Sequence, residues 1–364
     1  MIAINDLARN HQPHQEELRE ACLRVLASGW YVLGHEVARF ESDFAAYCGT
    51  THCVGVANGT DALEIALRAV EIKPGDKVLT TANCGMYATI AIIACGAEPV
   101  FVDVDPSTMN MAPDALRVAL GMKPRAVIVT HLYGRMAEIE AIMRASRAAE
   151  VLVIEDCAQA HGVRHEAKHV GSFGDIGCFS FYPTKNLGAL GDGGAIVTNN
   201  AYWAERVRQL RQYGWSSKYR CDLPGGCNSR LDELQAALLT VKLAWLDAQN
   251  AERRNIADRY HRGIKHPLIA APLRAGESDV VHLYVVRSSH RAQLIAHLAE
   301  AGVQTEIHYP LPDHRQLLFG TRFAEAHLPT TEWLANEILT LPCHPALSEE
   351  EISHVIDACN RFSP

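Results

Sequence analysis

The sequence predicts an α/β fold, with a large domain on a mostly parallel sheet followed by a smaller C-terminal α/β domain. Three observations predict it. Short, near-continuous apolar runs alternate with helical patterns through the middle of the chain, as expected for strands covered on both faces. The pattern changes over 263–272, where turn residues interrupt it. The length of 364 residues also exceeds what a single core usually serves.

Residues 1–34 read as an approach segment. Leu18, Ala21, Cys22 and Val25 recur at helical spacing, giving a helix over 15–26 that Ser28-Gly29 stops. The run WYVLG at 30–34 is an apolar turn, and a second amphipathic helix carries Val37, Phe40, Phe44 and Ala45 on one side. The large domain spans 35–262. Its strands are expected at 52–57, 77–80, 99–103, 126–130 and 151–156, with helices at 61–70, 87–95 and 136–147 between them. Two more strands, 177–181 and 195–198, enclose a Gly-rich loop. A long helical region over 231–260 closes the domain, its stripe formed by Leu234, Ala237, Leu238, Val241 and Leu246. The small domain, 263–364, contains a strand at 280–286, a helix at 291–301, a turn at 308–310 and a closing helix at 349–361.

The composition removes several classes of function. With 34 Lys and Arg against 42 Asp and Glu, the net charge of −8 disfavours nonspecific attraction to nucleic acid or anionic membranes. The N-terminus has no basic region followed by an apolar run, and apolar stretches such as 88–94 are too short to span a bilayer. The eleven cysteines are odd in number, include no C-x-x-C, and in part lie within strand-like runs (Cys53, Cys178). That usage fits buried, reduced thiols in the cytoplasm. No P-loop, no Rossmann fingerprint, no H-E-x-x-H and no G-x-S-x-G occurs. His161 and His165 stand four apart in a loop without an acidic partner, and no metal is expected.

Asp156 ends the run VLVIED, and ligands of open α/β sheets gather beyond the carboxyl ends of the strands. An acid there is a helix cap, half of a buried ion pair, or the partner of a cationic ligand. Lys185 lies 29 residues later in SFYPTKNLGALGDGG, either a solvated loop cation or an amine placed for Schiff-base chemistry. Gly59-Thr60-Asp61 follows a strand and opens a helix, where backbone N–H groups attract phosphate. Asp61 with Glu64 equally reads as a capping box, with Thr60 as another cap. Ser180 adds a hydroxyl within reach of the same phosphate.

Taken together, these segments resemble the DegT/DnrJ/EryC1/StrS family of sugar aminotransferases. The resemblance runs from SGWYVLG (28–34), FESDFAAYCG (40–49), VANGTDALEIAL (56–67), KPGDKVLT (73–80) and GAEPVFVDVDP (96–106) into the most specific blocks. Those are HLYG (131–134), IEDCAQAHG (154–162) and GSFGDIGCFSFYPTKNLGALGDGGAIVTN (171–199). NSRLDELQAALL (228–239), HYP (308–310) and LPCHP (341–345) complete it.

The resemblance implies an aspartate-aminotransferase-like fold, that of fold type I pyridoxal-phosphate enzymes, with the cofactor in the large domain. It implies a homodimer. Lys185 is then the lysine that binds pyridoxal 5′-phosphate, with pyridoxamine 5′-phosphate as the alternate form, and Asp156 pairs with the pyridine nitrogen. Gln159 lies near the ring and its 3-hydroxyl, and Gly59, Thr60 and Ser180 contact the phosphate. Asn228 reaches that phosphate from the second subunit, and His308 and Tyr309 form the substrate end of the pocket. One element departs from the family pattern. Where an aromatic residue commonly covers the pyridine, ANCGMYAT places Met86, with Tyr87 next to it, and either side chain is a candidate. The implied activity is transfer of an amino group from L-glutamate to a keto sugar, foremost a nucleotide-linked keto-deoxysugar. A keto-cyclitol is the alternative acceptor, and a non-catalytic regulatory or structural protein of the same fold is the alternative of another class. Relatives that remove sugar hydroxyls carry histidine in place of the lysine, whereas this chain keeps Lys185.

Overall fold

The computed structural model describes residues 1–364. Seven strands form the main sheet: β1 (His52–Val56), β2 (Lys77–Thr81), β3 (Glu98–Val102), β4 (Ala126–Thr130), β5 (Leu152–Asp156), β6 (Ile176–Ser180) and β7 (Gly194–Thr198), in the order β1-β7-β6-β5-β4-β2-β3. Each crossover through a helix leaves its strands parallel. Only β7 runs against its neighbours, with Cys178 opposite Ile196 on one side and Val54 opposite Ile196 on the other. The consequence for function is direct. The carboxyl ends of β1, β5 and β6 all lie at one edge of the sheet, so Gly59, Asp156 and the loop bearing Lys185 emerge together.

Both faces of the sheet are covered. On one, the helix Gly59–Ala69 buries Ala62, Leu63, Ile65, Ala66 and Leu67. On the other, the helix His35–Cys48 sets Phe40 and Phe44 edge-on against Phe179 and Phe181, with ring centroids 5.0–5.4 Å apart. Such pairs add about 0.5–1.5 kcal/mol beyond the buried area. The N-terminus of that helix is capped from afar. Glu233 accepts from the N–H groups of Gly34, Glu36 and Val37 at 2.8–2.9 Å, satisfying donors that a helix leaves open.

The C-terminal part pairs β8 (Tyr284–Arg287) antiparallel with β9 (Ile338–Leu341). The helices Arg291–Glu300 and Glu349–Asn360 cover it, the second opened by a capping box between Ser348 and Glu351. β8 begins later than the apolar run, because the backbone of Val280 and His282 instead donates to Gly134 and Tyr133. The long helical region is two helices, Glu233–Leu243 and Leu246–Gly263. At the break, Trp245 stacks on His14 with ring centroids 3.6 Å apart. The chain start does more than approach: Ile2 bridges to Val303 and sits in the C-terminal core. Helices Pro113–Ala119, Ala201–Leu210 and Pro329–Glu337 and the hairpins at 164–169 and 215–221 add to the expected elements. No helix is long and apolar enough to cross a membrane. All eleven cysteines are free thiols, eight of them buried.

Candidate active site

A cavity of about 630 Å³ opens at the carboxyl edge of the sheet, between the large and C-terminal parts of the chain. Gly59, Thr60, Tyr87, Asp156, Ser180, Lys185, His308 and Tyr309 all line it.

Asp156 reaches the cavity because side chains alternate along β5. It is buried, and its carboxylate accepts only from the Ala158 N–H at 3.1 Å and the Thr130 hydroxyl at 3.3 Å. Burial pushes its pKa up, against the pull of the Ala158 N–H and the charge of Lys185. Spare acceptor capacity therefore faces the cavity.

Glu155, pointing to the opposite face, has none to spare. It accepts from His131 Nε2 at 3.0 Å and from the N–H groups of Gly171, Phe173 and Gly174 at 2.7–2.9 Å. The Ala137 N–H donates to His131 Nδ1, so Nε2 carries the proton of a neutral ring. Burial raises the Glu155 pKa, but the bonds from His131 and the backbone outweigh it and hold the acid below its usual range. Cys157 lies close to both, and the hydrogen bonds engage both ring nitrogens of His131 and both carboxylate oxygens of Glu155. Replacing Glu155 with alanine strands four buried donors. We expect about 3–5 kcal/mol of destabilisation, the scale for breaking a buried polar pair, read from urea unfolding. A loss under 1 kcal/mol would contradict this structural role.

Lys185 sits in the loop between β6 and β7, which is pinned on both sides. Lys185 N–H donates to Tyr182, and Ala189 N–H to Phe181, at 2.8 and 2.7 Å. Asn186 Nδ2 donates to Asn250 and to the Val280 carbonyl at 2.8 and 3.1 Å. No acceptor in the chain binds Lys185 Nζ. Burial lowers its pKa from the ordinary lysine value to about 8, although Asp156 pulls the other way. A lysine tuned this way is a nucleophile near neutral pH.

The helix Gly59–Ala69 begins one turn earlier than a capping box at Asp61 requires. Asn58 is the cap, its side chain accepting from the Asp61 N–H at 2.8 Å, and Glu64 instead pairs with Arg68 at 2.7 Å. Asp61 and Thr60 are thus not caps, and the N–H groups of Gly59 and Thr60 lack intrahelical partners. A Cβ on Gly59 would stand 2.5 Å from that of Ser180, so only glycine lets this turn close against the end of β6.

The remaining expected residues divide. Tyr87 lines the cavity, its ring 6.2 Å from that of Tyr309 at 75°. Met86 does not line it; it occupies a left-handed turn (φ 73°), and its N–H donates to Asp313 at 2.9 Å. Asp313 also accepts from the Thr89 hydroxyl at 2.6 Å, and burial raises its pKa to about 6. Gln159 stands behind the cavity wall, accepting from the Tyr133 N–H at 2.8 Å and donating to the Tyr309 hydroxyl at 3.2 Å. His308 is held by Thr340 at 2.8 Å and Glu306 at 3.1 Å. Asn228 is exposed and lies outside the cavity of its own chain. Sequence reading missed Arg253, His282 and the Ile4-Asn5 segment, which also line the cavity. Arg253 had a weak signal, being an arginine at an inward position of an otherwise amphipathic helix.

The whole chain has known counterparts. The model of the DegT/DnrJ/EryC1/StrS aminotransferase family matches residues 12–360. The dTDP-3-amino-3,6-dideoxy-alpha-D-galactopyranose transaminase of Aneurinibacillus thermoaerophilus is 46% identical over 363 residues, covering 100% of this chain and 99% of that protein. Among solved structures, DesV of S. venezuelae superposes with a TM-score of 0.95 at 40% identity, covering 99% of this chain and 97% of that one. NtdA of Bacillus subtilis, solved with bound cofactor PMP, gives 0.92 at 29% identity, covering 98% and 84%. On a match that spans nearly every residue, this chain belongs to the DegT/DnrJ/EryC1/StrS aminotransferase family.

Proposed function

We propose that this chain is a pyridoxal-phosphate-dependent aminotransferase that moves an amino group from L-glutamate to a nucleotide-linked keto-deoxysugar. The observation that carries the reading is a single cavity in which an unpaired, low-pKa lysine and an under-satisfied buried carboxylate stand beside a glycine-lined helix N-terminus. The residues fit the cofactor. Gly59, Thr60 and Ser180 offer backbone and hydroxyl donors to a phosphate, Asp156 has acceptor capacity for a ring N–H, and Lys185 has a free amine for the aldehyde.

When bound, pyridoxal phosphate supplies an aldehyde that captures amines and a pyridinium ring that takes up the electron pair released at the reacting carbon. Lys185 Nζ would hold the group through that aldehyde carbon, and the donor's amine would take the lysine's place there. The freed, neutral Nζ then takes a proton from the donor's α-carbon and returns it one carbon away, acting as base and then acid. Asp156 would keep the proton on the ring nitrogen. Hydrolysis by one water would release the donor's carbon skeleton as 2-oxoglutarate, leaving the nitrogen behind as an amine, and Lys185 would perform the same proton movements in reverse on the keto sugar, with that water returned. Tyr87 and Tyr309 wall the cavity, and His308 and Tyr309 stand at its substrate end.

The reading includes a homodimer, in which Asn228 reaches the phosphate site of a second copy; its exposure outside its own cavity supports this assignment. It also places the enzyme in the cytoplasm, where eleven free thiols stay reduced. Protein loaded with pyridoxamine phosphate and offered 3-keto and 4-keto nucleotide sugars and keto-cyclitols should regain the absorbance of the lysine-bound cofactor with a nucleotide sugar. Return with cyclitols alone would overturn the acceptor assignment. A pH series tests the lysine. Only the neutral amine attacks, so capture of pyridoxal phosphate by apoprotein should rise about tenfold per pH unit and level off near 8. A rate flat from pH 6 to 9, after allowance for the cofactor's own titration, would contradict the depressed pKa.

A further inference from the structure

The cavity wall that carries Tyr87 and Tyr309 comes from both parts of the chain, and carboxylates weld it from each side. Asp103, just past β3, accepts from the N–H groups of Thr330 and Thr331 and from the Thr331 hydroxyl at 2.7–3.0 Å. It therefore caps the C-terminal helix Pro329–Glu337. Asp313, a few residues beyond Tyr309, does the converse. It is buried to 1% exposure, and its own N–H donates to the Ala82 carbonyl at 2.8 Å. Its carboxylate takes the Met86 N–H and the Thr89 hydroxyl at the start of the large-domain helix Tyr87–Ala94.

These bonds hold a turn that its own residues do not favour. Gly85 and Met86 are both left-handed, at φ 75° and 73°, a conformation costly for a residue with a side chain. A Cβ on Gly85 would stand 2.9 Å from the Tyr309 ring, so the turn lies flush against that ring. The next residue is aimed by this turn. Tyr87 enters the cavity with its ring edge-on to Tyr309, and its hydroxyl has no partner in the chain. No cation pairs with Asp313, so its carboxylate serves only the neutral donors of Met86 and Thr89. The other acid on this side is Glu306, which lines the cavity and meets His308 at 3.1 Å.

We propose that Asp313 is a positioning residue for the acceptor: it fixes the turn at Gly85-Met86 and so sets the Tyr87 hydroxyl to hydrogen-bond an oxygen of the keto sugar. Resting on the aminotransferase reading, this adds an acceptor contact and the residue that aims it. The chemistry of the wall separates the two substrates. A phenol both donates and accepts, which matches the hydroxyl and carbonyl oxygens of a sugar. Glutamate brings carboxylates, which Glu306 repels. Ping-pong chemistry handles donor and acceptor in separate halves, so a contact made to only one of them shows in only one half.

The test is a cycle of cofactor-loaded variants, each read in both half-reactions. Tyr87→Phe and Asp313→Ala should each lower kcat/KM for the nucleotide keto sugar by about 3- to 10-fold, the scale of one hydrogen bond. The half-reaction with L-glutamate should hold within about twofold. Because Asp313 acts through Tyr87, the double variant should lose no more than Asp313→Ala alone. Asp313→Asn should restore the sugar rate, since its amide oxygen can accept from Met86 and its NH₂ can donate to the Thr89 hydroxyl. Calorimetry gives a readout apart from turnover. A nucleotide-linked deoxysugar with a hydroxyl in place of the ketone should lose affinity for the pyridoxamine form in the same pattern. Additive losses, equal losses in both half-reactions, or no loss would overturn the assignment. If Asp313→Ala does not fold, Thr89→Val removes one of the two bonds and should give a smaller loss confined to the sugar. A sugar rate unchanged in both Thr89→Val and Tyr87→Phe would overturn it. A wild-type pyridoxamine form that reacts with no keto sugar would instead sink the aminotransferase reading.

Discussion

Lys185→Ala loses the absorbance of covalently held cofactor and drops turnover by about 10⁴-fold, the upper range for removing a positioned acid–base group. The expectation follows from three features of one nitrogen. Nζ lines the cavity, has no partner in the chain, and has its pKa lowered to about 8 by burial. The fold should survive. Lys185 makes its loop contacts through backbone atoms, and Asn186 and Ala189 keep theirs in the variant. A depressed lysine pKa also means that the folded state resists protonation of this amine. Stability from this group is therefore lower below pH 8 and recovers between about 8 and the ordinary lysine value. Removing it should leave the thermal midpoint at pH 7 unchanged or slightly raised. Phosphate contacts remain, so the variant still binds cofactor noncovalently, and ethylamine added to the buffer should restore part of the proton transfer. Wild-type turnover in a folded Lys185→Ala protein would remove the centre of the mechanism.

The parts of this site that the sequence made legible are those built by one strand and its following turn. An apolar run ending in Asp156, or a strand followed by Gly59-Thr60, carries its own location, because a parallel sheet sends every such end to one edge. Lys185 was legible for a related reason: strands flank its Gly-rich loop, and their antiparallel pairing returns the lysine to the same edge. What stayed hidden depends on partners far along the chain. Asp313 caps the turn at Met86 from 227 residues away, and Glu233 caps the helix at His35 from nearly 200. A local cap has a spacing rule, whereas these contacts have none. The same blindness left Met86 and Tyr87 unresolved. Which of them faces the cavity depends on the left-handed turn that Asp313 holds, and the structure turns Tyr87 inward. The helix expected from residue 61 begins at Gly59, because Asn58 and not Asp61 is its cap. Arg253 shows the limit most sharply. In sequence it is one of two adjacent arginines on a helix, and only burial without a counter-ion separates it from Arg254, which donates to the Asp279 carbonyl at 3.2 Å.

Asp156→Asn should retain cofactor and fold but slow both half-reactions by about 10²- to 10³-fold, the cost of losing one fixed electrostatic partner in a water-poor site. The asparagine is nearly isosteric, and its amide oxygen can keep the bond from the Ala158 N–H. What it cannot keep is the charge that holds a proton on the ring nitrogen. The two half-reactions share this requirement, so they should fall together. The variant also predicts a shift in a second observable. The Asp156 charge raises the Lys185 pKa against the dominant effect of burial. Without it, burial acts unopposed, and the pH at which cofactor capture levels off should move below about 8. Slower turnover with an unmoved capture profile would mean that the carboxylate and the amine do not sense each other. Unchanged half-reaction rates would show that the buried charge at the end of β5 serves the sheet and not the chemistry.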